Sequence, residues 1–389
     1  MLYYRTVIRN IFYFAFMTFE QITMTVFALM FALGAIDYLL GNPWNIGNKI
    51  VEGLQAFAPL FLTMGGFLVM LPVITEFLTP FAIPFFKGIG ADPGLFPGII
   101  LASDSGAYPL AQSIASTPDA AGLGGMLLGS MMGANVICMP LILRMLDKND
   151  HMCFFKGLMF AVITMPLGLL AGGLAAGYKL VFIMQQMPLL LIVSFAAAVM
   201  LYRIPQILAK ILTVFSKAME CVALSGLVIA VLFRALNIKA AMLAPLENAI
   251  TIIGMIAVIL PGVYVFTEVL SRVINKLLPV SGNDSKLNNI SLVGFISTAA
   301  NAIPTLVMIK KMDERGKLLN CAFLGSGAYV LGDHLAYCTV AEPKLIVPLL
   351  IAKLTAASSA VFLAWLCLKY SKQQQLQQIK QEFHLQKWQ

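Results

Sequence analysis

Long apolar runs, each about as long as a bilayer is thick, follow one another along nearly the whole chain, with short polar stretches between them. A helix needs about 20 such residues to cross the hydrocarbon core. Runs of this kind fall at 22–40, 55–75, 95–115, 122–146, 154–177, 180–202, 211–234, 247–270, 289–310, 318–338 and 345–368. The pattern predicts an all-α membrane protein with about 10–11 transmembrane helices, some of them broken or re-entrant. Residues 1–21 read as an N-terminal extension, 22–368 as one polytopic domain, and 369–389 as a polar, Gln-rich tail in a frayed or amphipathic helix. Met1–Glu20 is aromatic-rich, carries Arg5 and Arg9, and lacks a small-residue cleavage site, so no cleavable signal is expected. Met17 and Met24 are alternative starts.

Composition agrees with the pattern. The chain is 60% hydrophobic and 11% charged, whereas soluble domains carry about 25% charged residues. Its net charge of +8 sits in short loops, which marks topology and not a nucleic-acid surface. With the N-terminus on the cytoplasmic side, one set of loops collects Arg144, Lys148, Lys156, Arg203, Lys210, Lys217, Arg272, Lys276 and Lys286; the opposite set holds Lys49, Lys179, Arg234 and Lys239. The parity fails at Lys310, Lys311, Arg315 and Lys317. It is restored if 289–310 enters the membrane and returns, with Asn301-Ala302-Ile303-Pro304 as the break. The six cysteines are scattered and read as small buried residues in a reducing setting.

Two aspartates stand inside apolar runs. Asp104 precedes Ser105-Gly106-Ala107-Tyr108, and Asp333 follows Ser326-Gly327-Ala328-Tyr329. A carboxylate at the membrane centre costs about 2.5–3.5 kcal/mol on insertion scales, so it faces a cavity, a partner or a cargo. Its pairing with Gly and Pro, once in each half, is how a transporter with internal symmetry builds a midplane site. Tyr108 and Tyr329 are candidate aromatic faces for a cation. Asn135 and Asn301 could bond a hydroxyl or simply join helices; Ser105 is a further candidate, and His334 could tune or relay a proton. Gly125, Gly129 and Gly133, like Gly168 and Gly172, permit close helix packing. A faint repeat pairs Gly133-Ala134-Asn135…Pro140 with Ala300-Asn301…Pro304, in swapped order relative to the two Ser-Gly-Ala-Tyr words. No metal set or cofactor motif is expected: His151 and His384 stand apart and no H-E-x-x-H occurs.

Leu101-Ala102-Ser103-Asp104-Ser105-Gly106, Gly129-Ser130-Met131-Met132-Gly133, Ala300-Asn301-Ala302-Ile303-Pro304, Met312-Asp313-Glu314-Arg315-Gly316-Lys317 and Leu331-Gly332-Asp333-His334-Leu335 resemble, in order, motifs of the ethanolamine permease family of bacterial ethanolamine-utilisation operons. The resemblance covers roughly residues 22–368. It implies a multi-pass inner-membrane protein that brings ethanolamine into the cell, with Asp104, Asp333 and His334 on family motifs. The chemistry is compatible: ethanolamine is a primary amine, mostly protonated near neutral pH like a lysine, and its cation crosses hydrocarbon only at high cost. The residues leave open passive facilitation, proton- or sodium-coupled symport, and the oligomeric state. An intramembrane aspartyl protease is a rival from another class; its Gly-x-Gly-Asp word is absent, Val330 standing at the first glycine place. A membrane scaffold for metabolic enzymes is a third.

Overall fold

The computed structural model describes residues 18–55, 57–238, 242–277 and 289–386. Most of the N-terminal extension, the loop carrying Lys286 and the last three residues lie outside the described residues. The chain is all-α, and eight helices among the described residues are long and apolar enough to cross a membrane.

The helices in chain order are α1 (Phe19–Leu39), α2 (Asn48–Gln55), α3 (Gly66–Gly88), α4 (Leu95–Ile100), α5 (Ala107–Ile114), α6 (Pro118–Met145), α7 (His151–Ala175), α8 (Leu180–Arg203), α9 (Pro205–Ala235), α10 (Leu246–Leu277), α11 (Asn289–Ala300), α12 (Ala302–Met308), α13 (Glu314–Gly327), α14 (Asp333–Ala341) and α15 (Ile346–Gln386). From α6 to α10 the long helices alternate in direction across short connections, so the bundle has two distinct ends. One is basic: it carries Arg144, Lys148, Arg203, Arg272, Lys310, Lys311, Arg315 and Lys317. Lys317 Nζ reaches Asp150 Oδ1 at 2.9 Å, which ties the 309–317 connection to that end. Arg272 donates to the carbonyls of Trp44 and Asn45 at 2.5 and 2.9 Å, which places the turn after α1 there too. That turn is organised by buried Asp37, whose carboxylate accepts from the N–H groups of Trp44, Ile46 and Gly47.

The run at 289–310 is a hairpin, one of the two ways in which the loop-charge parity could be restored, the other being a further span elsewhere. Asn301 caps α12 and ends α11. Ser291 donates to Asp313 Oδ1 at 2.9 Å, and Asn320 donates to the Ser291 carbonyl at 2.8 Å, so the hairpin enters and leaves at the basic end. The run at 95–115 differs from a full span. It is a second hairpin, opening to the opposite end: Ser116 N–H reaches the Asp92 carboxylate at 3.3 Å and Gly94 packs on Ala115. The reversal occurs at Ser103–Ser105 and at Gly106, whose φ of +109° suits glycine. The run at 318–338 crosses, but 328–332 is unwound between α13 and α14. Its backbone is satisfied sideways: Tyr329 and Leu331 N–H groups donate to the carbonyls of Thr298 and Ala299 on α11. The swapped order of the sequence repeat thus accompanies two hairpins that face each other from opposite ends.

Glycines set the close approaches. A Cβ on Gly98, Gly124 or Gly133 would strike the backbone of the hairpin or of α6, and the α6 ladder widens to π-type turns across Gly122–Gly133. Gly168 and Gly172 of α7 face Ala352 and Ala356 of α15. Outward faces remain apolar, for example Phe77, Phe195 and Val181 at 70% exposure or more, as expected of surface turned to lipid.

Candidate functional site

The two hairpin tips and the unwound 328–332 segment converge at the centre of the bundle. Asp104 sits in the tip between α4 and α5, its side chain 14% exposed, and accepts from Ser105 Oγ at 3.3 Å. Asp333 is the first residue of α14, where free N–H groups favour an anion. It is half-buried and accepts from Tyr264 Oη of α10 at 3.1 Å. His334, 3% exposed, stands beside the first acid: its Nε2 lies 4.0 Å from Asp104 Oδ1. Tyr329, at φ +59° in the unwound stretch, packs its ring edge-on against the imidazole at 5.6 Å.

A buried lysine completes the cluster. Lys353 of α15 is 1% exposed; its Nζ donates to the Ser130 carbonyl at 2.5 Å and to His334 Nδ1 at 3.0 Å. A donating lysine leaves the imidazole proton on Nε2, the nitrogen that faces Asp104. Sequence reasoning passed over Lys353 and Tyr264. The signal for the lysine is plain in retrospect: no other charge occurs between Lys344 and Lys369.

The remaining candidates divide. Ser105 is at the Asp104 tip and also lines a groove of about 220 Å³ with Arg144, Lys217 and Glu220. Asn135 donates to the carbonyls of Met131 and Gly325 at 2.6 and 2.5 Å, a bond between α6 and α13. Asn301 accepts from Ile303 N–H and lines a 120 Å³ cleft that runs from Lys49 and Glu268 in to Tyr264. Tyr108 is not brought to Asp104. It points to the opposite end, where its hydroxyl donates to Glu342 Oε2 at 2.8 Å in a 540 Å³ vestibule with Tyr178 and Asp119. Deep in the centre a 20 Å³ cavity is lined by Lys353, Ser326, Asn135, Cys138 and Tyr329. Asp104 and Asp333 each keep a separate hydroxyl donor, unlike a proteolytic dyad that shares one proton.

Comparison with known proteins gives a consistent result. Residues 19–367 match the family described as ethanolamine utilisation protein, EutH. The chain is 35% identical over 347 residues to the probable ethanolamine permease EutH of Listeria monocytogenes serotype 1/2a (strain 10403S), covering 89% of this chain and 93% of that protein. It is 34% identical over 368 residues to the uncharacterized protein YxeR of Bacillus subtilis (strain 168), covering 92% and 98%. It is 33% identical over 344 residues to the probable ethanolamine permease EutH of Escherichia coli (strain K12), covering 82% and 84%. No solved structure matches the chain.

Proposed function

Because the chain belongs to the ethanolamine utilisation protein EutH family, we propose that it is a permease for ethanolamine in the plasma membrane of a bacterium, taking up the protonated amino alcohol. The observation that carries this reading is the pair of carboxylates, Asp104 and Asp333, brought to the centre of the bundle beside buried His334 and Lys353, with the vestibule and the cleft leading in from opposite ends. A carboxylate pair of this kind suits a small cation. In this reading Asp104 and Asp333 hold the ammonium, Tyr329 offers an aromatic face, and His334 keeps Asp104 oriented. Asn135 and Asn301 serve the helices, and Tyr108 serves the vestibule.

Labelled ethanolamine uptake into proteoliposomes tests it. An ammonium–carboxylate pair at about 4 Å is worth roughly 4 kcal/mol at an effective dielectric near 20. Asp104→Asn or Asp333→Asn should therefore lower uptake at least tenfold with abundance unchanged; parent-like uptake from both refutes the reading. Coupled symport is the second reading, favoured by the separate partners of the two acids, since one could hold a proton or Na⁺ while the other holds cargo. A dependence of initial rate on an imposed pH or sodium gradient distinguishes it. By the positive-inside rule the basic end faces the cytoplasm. In this reading Thr18, where α1 begins, lies on the outer side, opposite to the cytoplasmic N-terminus expected from loop parity.

A further inference from the structure

Lys353 makes the central site asymmetric. Two of its three ammonium protons go to Ser130 O and His334 Nδ1, and the third is left for the 20 Å³ cavity that the lysine lines. Ser326, 1% exposed, lines the same cavity, and its hydroxyl has no hydrogen-bond partner in the protein. Such a state is costly for a buried hydroxyl. Across the imidazole, Asp104 Oδ1 stands 4.0 Å from Nε2. A lysine and a carboxyl group therefore face each other one ring apart, with unused hydrogen-bonding capacity at the lysine end.

We propose that Lys353 and Ser326 form the subsite for the hydroxyl end of the substrate, and that the lysine charge orients the substrate and excludes dications. The proposal rests on the ethanolamine reading above. The ammonium turns to the carboxylates, and the hydroxyl oxygen accepts from Lys353 while exchanging a bond with Ser326. The cavity holds one oxygen-sized group and not a whole amino alcohol, in keeping with a subsite for one end. A diamine of the same length as ethanolamine presents a second ammonium to Lys353. Even if that ammonium draws back to about 6 Å from Nζ, two unit charges at an effective dielectric near 20 weaken binding about a hundredfold. An alkylamine of the same length leaves Ser326 and the third proton unpaired, and is disfavoured by about tenfold or more.

The test is competition against labelled ethanolamine in proteoliposomes, at a pH that keeps 1,2-diaminoethane doubly protonated, with propylamine as the second competitor. In the parent, the diamine should compete about a hundredfold more weakly than ethanolamine. Lys353→Met should close most of that gap. Ser326→Ala removes only an unpaired hydroxyl; it should keep the diamine gap and narrow the propylamine gap. Equal competition by the diamine in the parent overturns the proposal. So does an active Lys353→Met protein with an unchanged diamine gap, or Ser326→Ala with an unchanged propylamine gap. If Lys353→Met does not fold, the parent and Ser326→Ala decide the matter. No ethanolamine uptake by the parent at all fails the permease reading itself, and this proposal with it.

Discussion

Replacing Gly172 by alanine should disable the site from a distance. Gly172 lies on the face of α7 that meets α15, and an added Cβ would sit 2.5 Å from Ala352 Cβ and 2.9 Å from the Pro348 carbonyl oxygen, where ordinary contact begins at 3.4 Å. The two helices must part by about 1 Å to relieve this. They are held elsewhere by Thr164 Oγ1, which donates to the Ala356 carbonyl at 2.9 Å, and by Ala352, Ala356, Ala360 and Ala364, all fully buried. A shift of that size lengthens the bonds from Lys353 to Ser130 and His334, now 2.5 and 3.0 Å, to the limit of hydrogen bonding or beyond. Overpacking costs about 1–3 kcal/mol, and a hydrogen bond to a charged group about 1.5–3 kcal/mol. The expected result is a lower thermal midpoint in detergent together with uptake per folded molecule reduced about tenfold, the equivalent of 1.4 kcal/mol. Gly254→Ala in α10 is the control. Nothing lies within 4 Å of its Cβ position, and alanine favours the helix by up to about 1 kcal/mol. Parent-like melting and uptake from Gly172→Ala would refute the packing argument.

Three further outcomes follow from the geometry. Tyr264→Phe removes the donor to Asp333 and should raise the apparent KM about tenfold, as loss of roughly 1.5 kcal/mol from a charged acceptor requires; unchanged kinetics would mean that Asp333 is held by other means. Asn135→Leu should lower the thermal midpoint by an amount equivalent to about 0.6–1.7 kcal/mol while keeping transport per folded molecule, and a selective loss of transport would move Asn135 into the binding machinery. Asp92→Cys and Lys310→Cys, in a background without exposed Cys221 and Cys367, should label with an impermeant thiol reagent from opposite sides of the membrane. Labelling from one side contradicts the two opposed hairpins.

The sequence shows some of this and hides the rest for physical reasons. A carboxylate in an apolar run is visible because its cost is large, and so Asp104 and Asp333 stand out. The 95–115 run is as apolar as a crossing, so its reversal rests on one glycine at positive φ and not on hydropathy. The same glycine explains Tyr108. Four positions along the chain from Asp104, it lies beyond the reversal and turns outward to Glu342. Lys353 is as conspicuous as either aspartate, yet lysines read collectively as topology markers conceal a single buried one. Tyr264 gives no signal of its own, because its partner Asp333 is 69 residues away. The re-entrant 289–310 run was legible through charge: an even passage there returns Lys310 and Lys317 to the end that holds Asp150, although an extra span elsewhere would have given the same parity.

The lengths of the two opposed hairpins carry an electrical consequence. The 8 residues of α5 and the 12 of α11 rise about 12 and 18 Å, which together match the roughly 30 Å of insulating hydrocarbon. Cargo held where their tips meet stands part-way down the voltage drop, with the field divided between two thin half-barriers. For a carrier of one positive charge, a potential of 100 mV contributes about 2.3 kcal/mol. An uncoupled carrier could then accumulate its substrate about fiftyfold on membrane voltage alone.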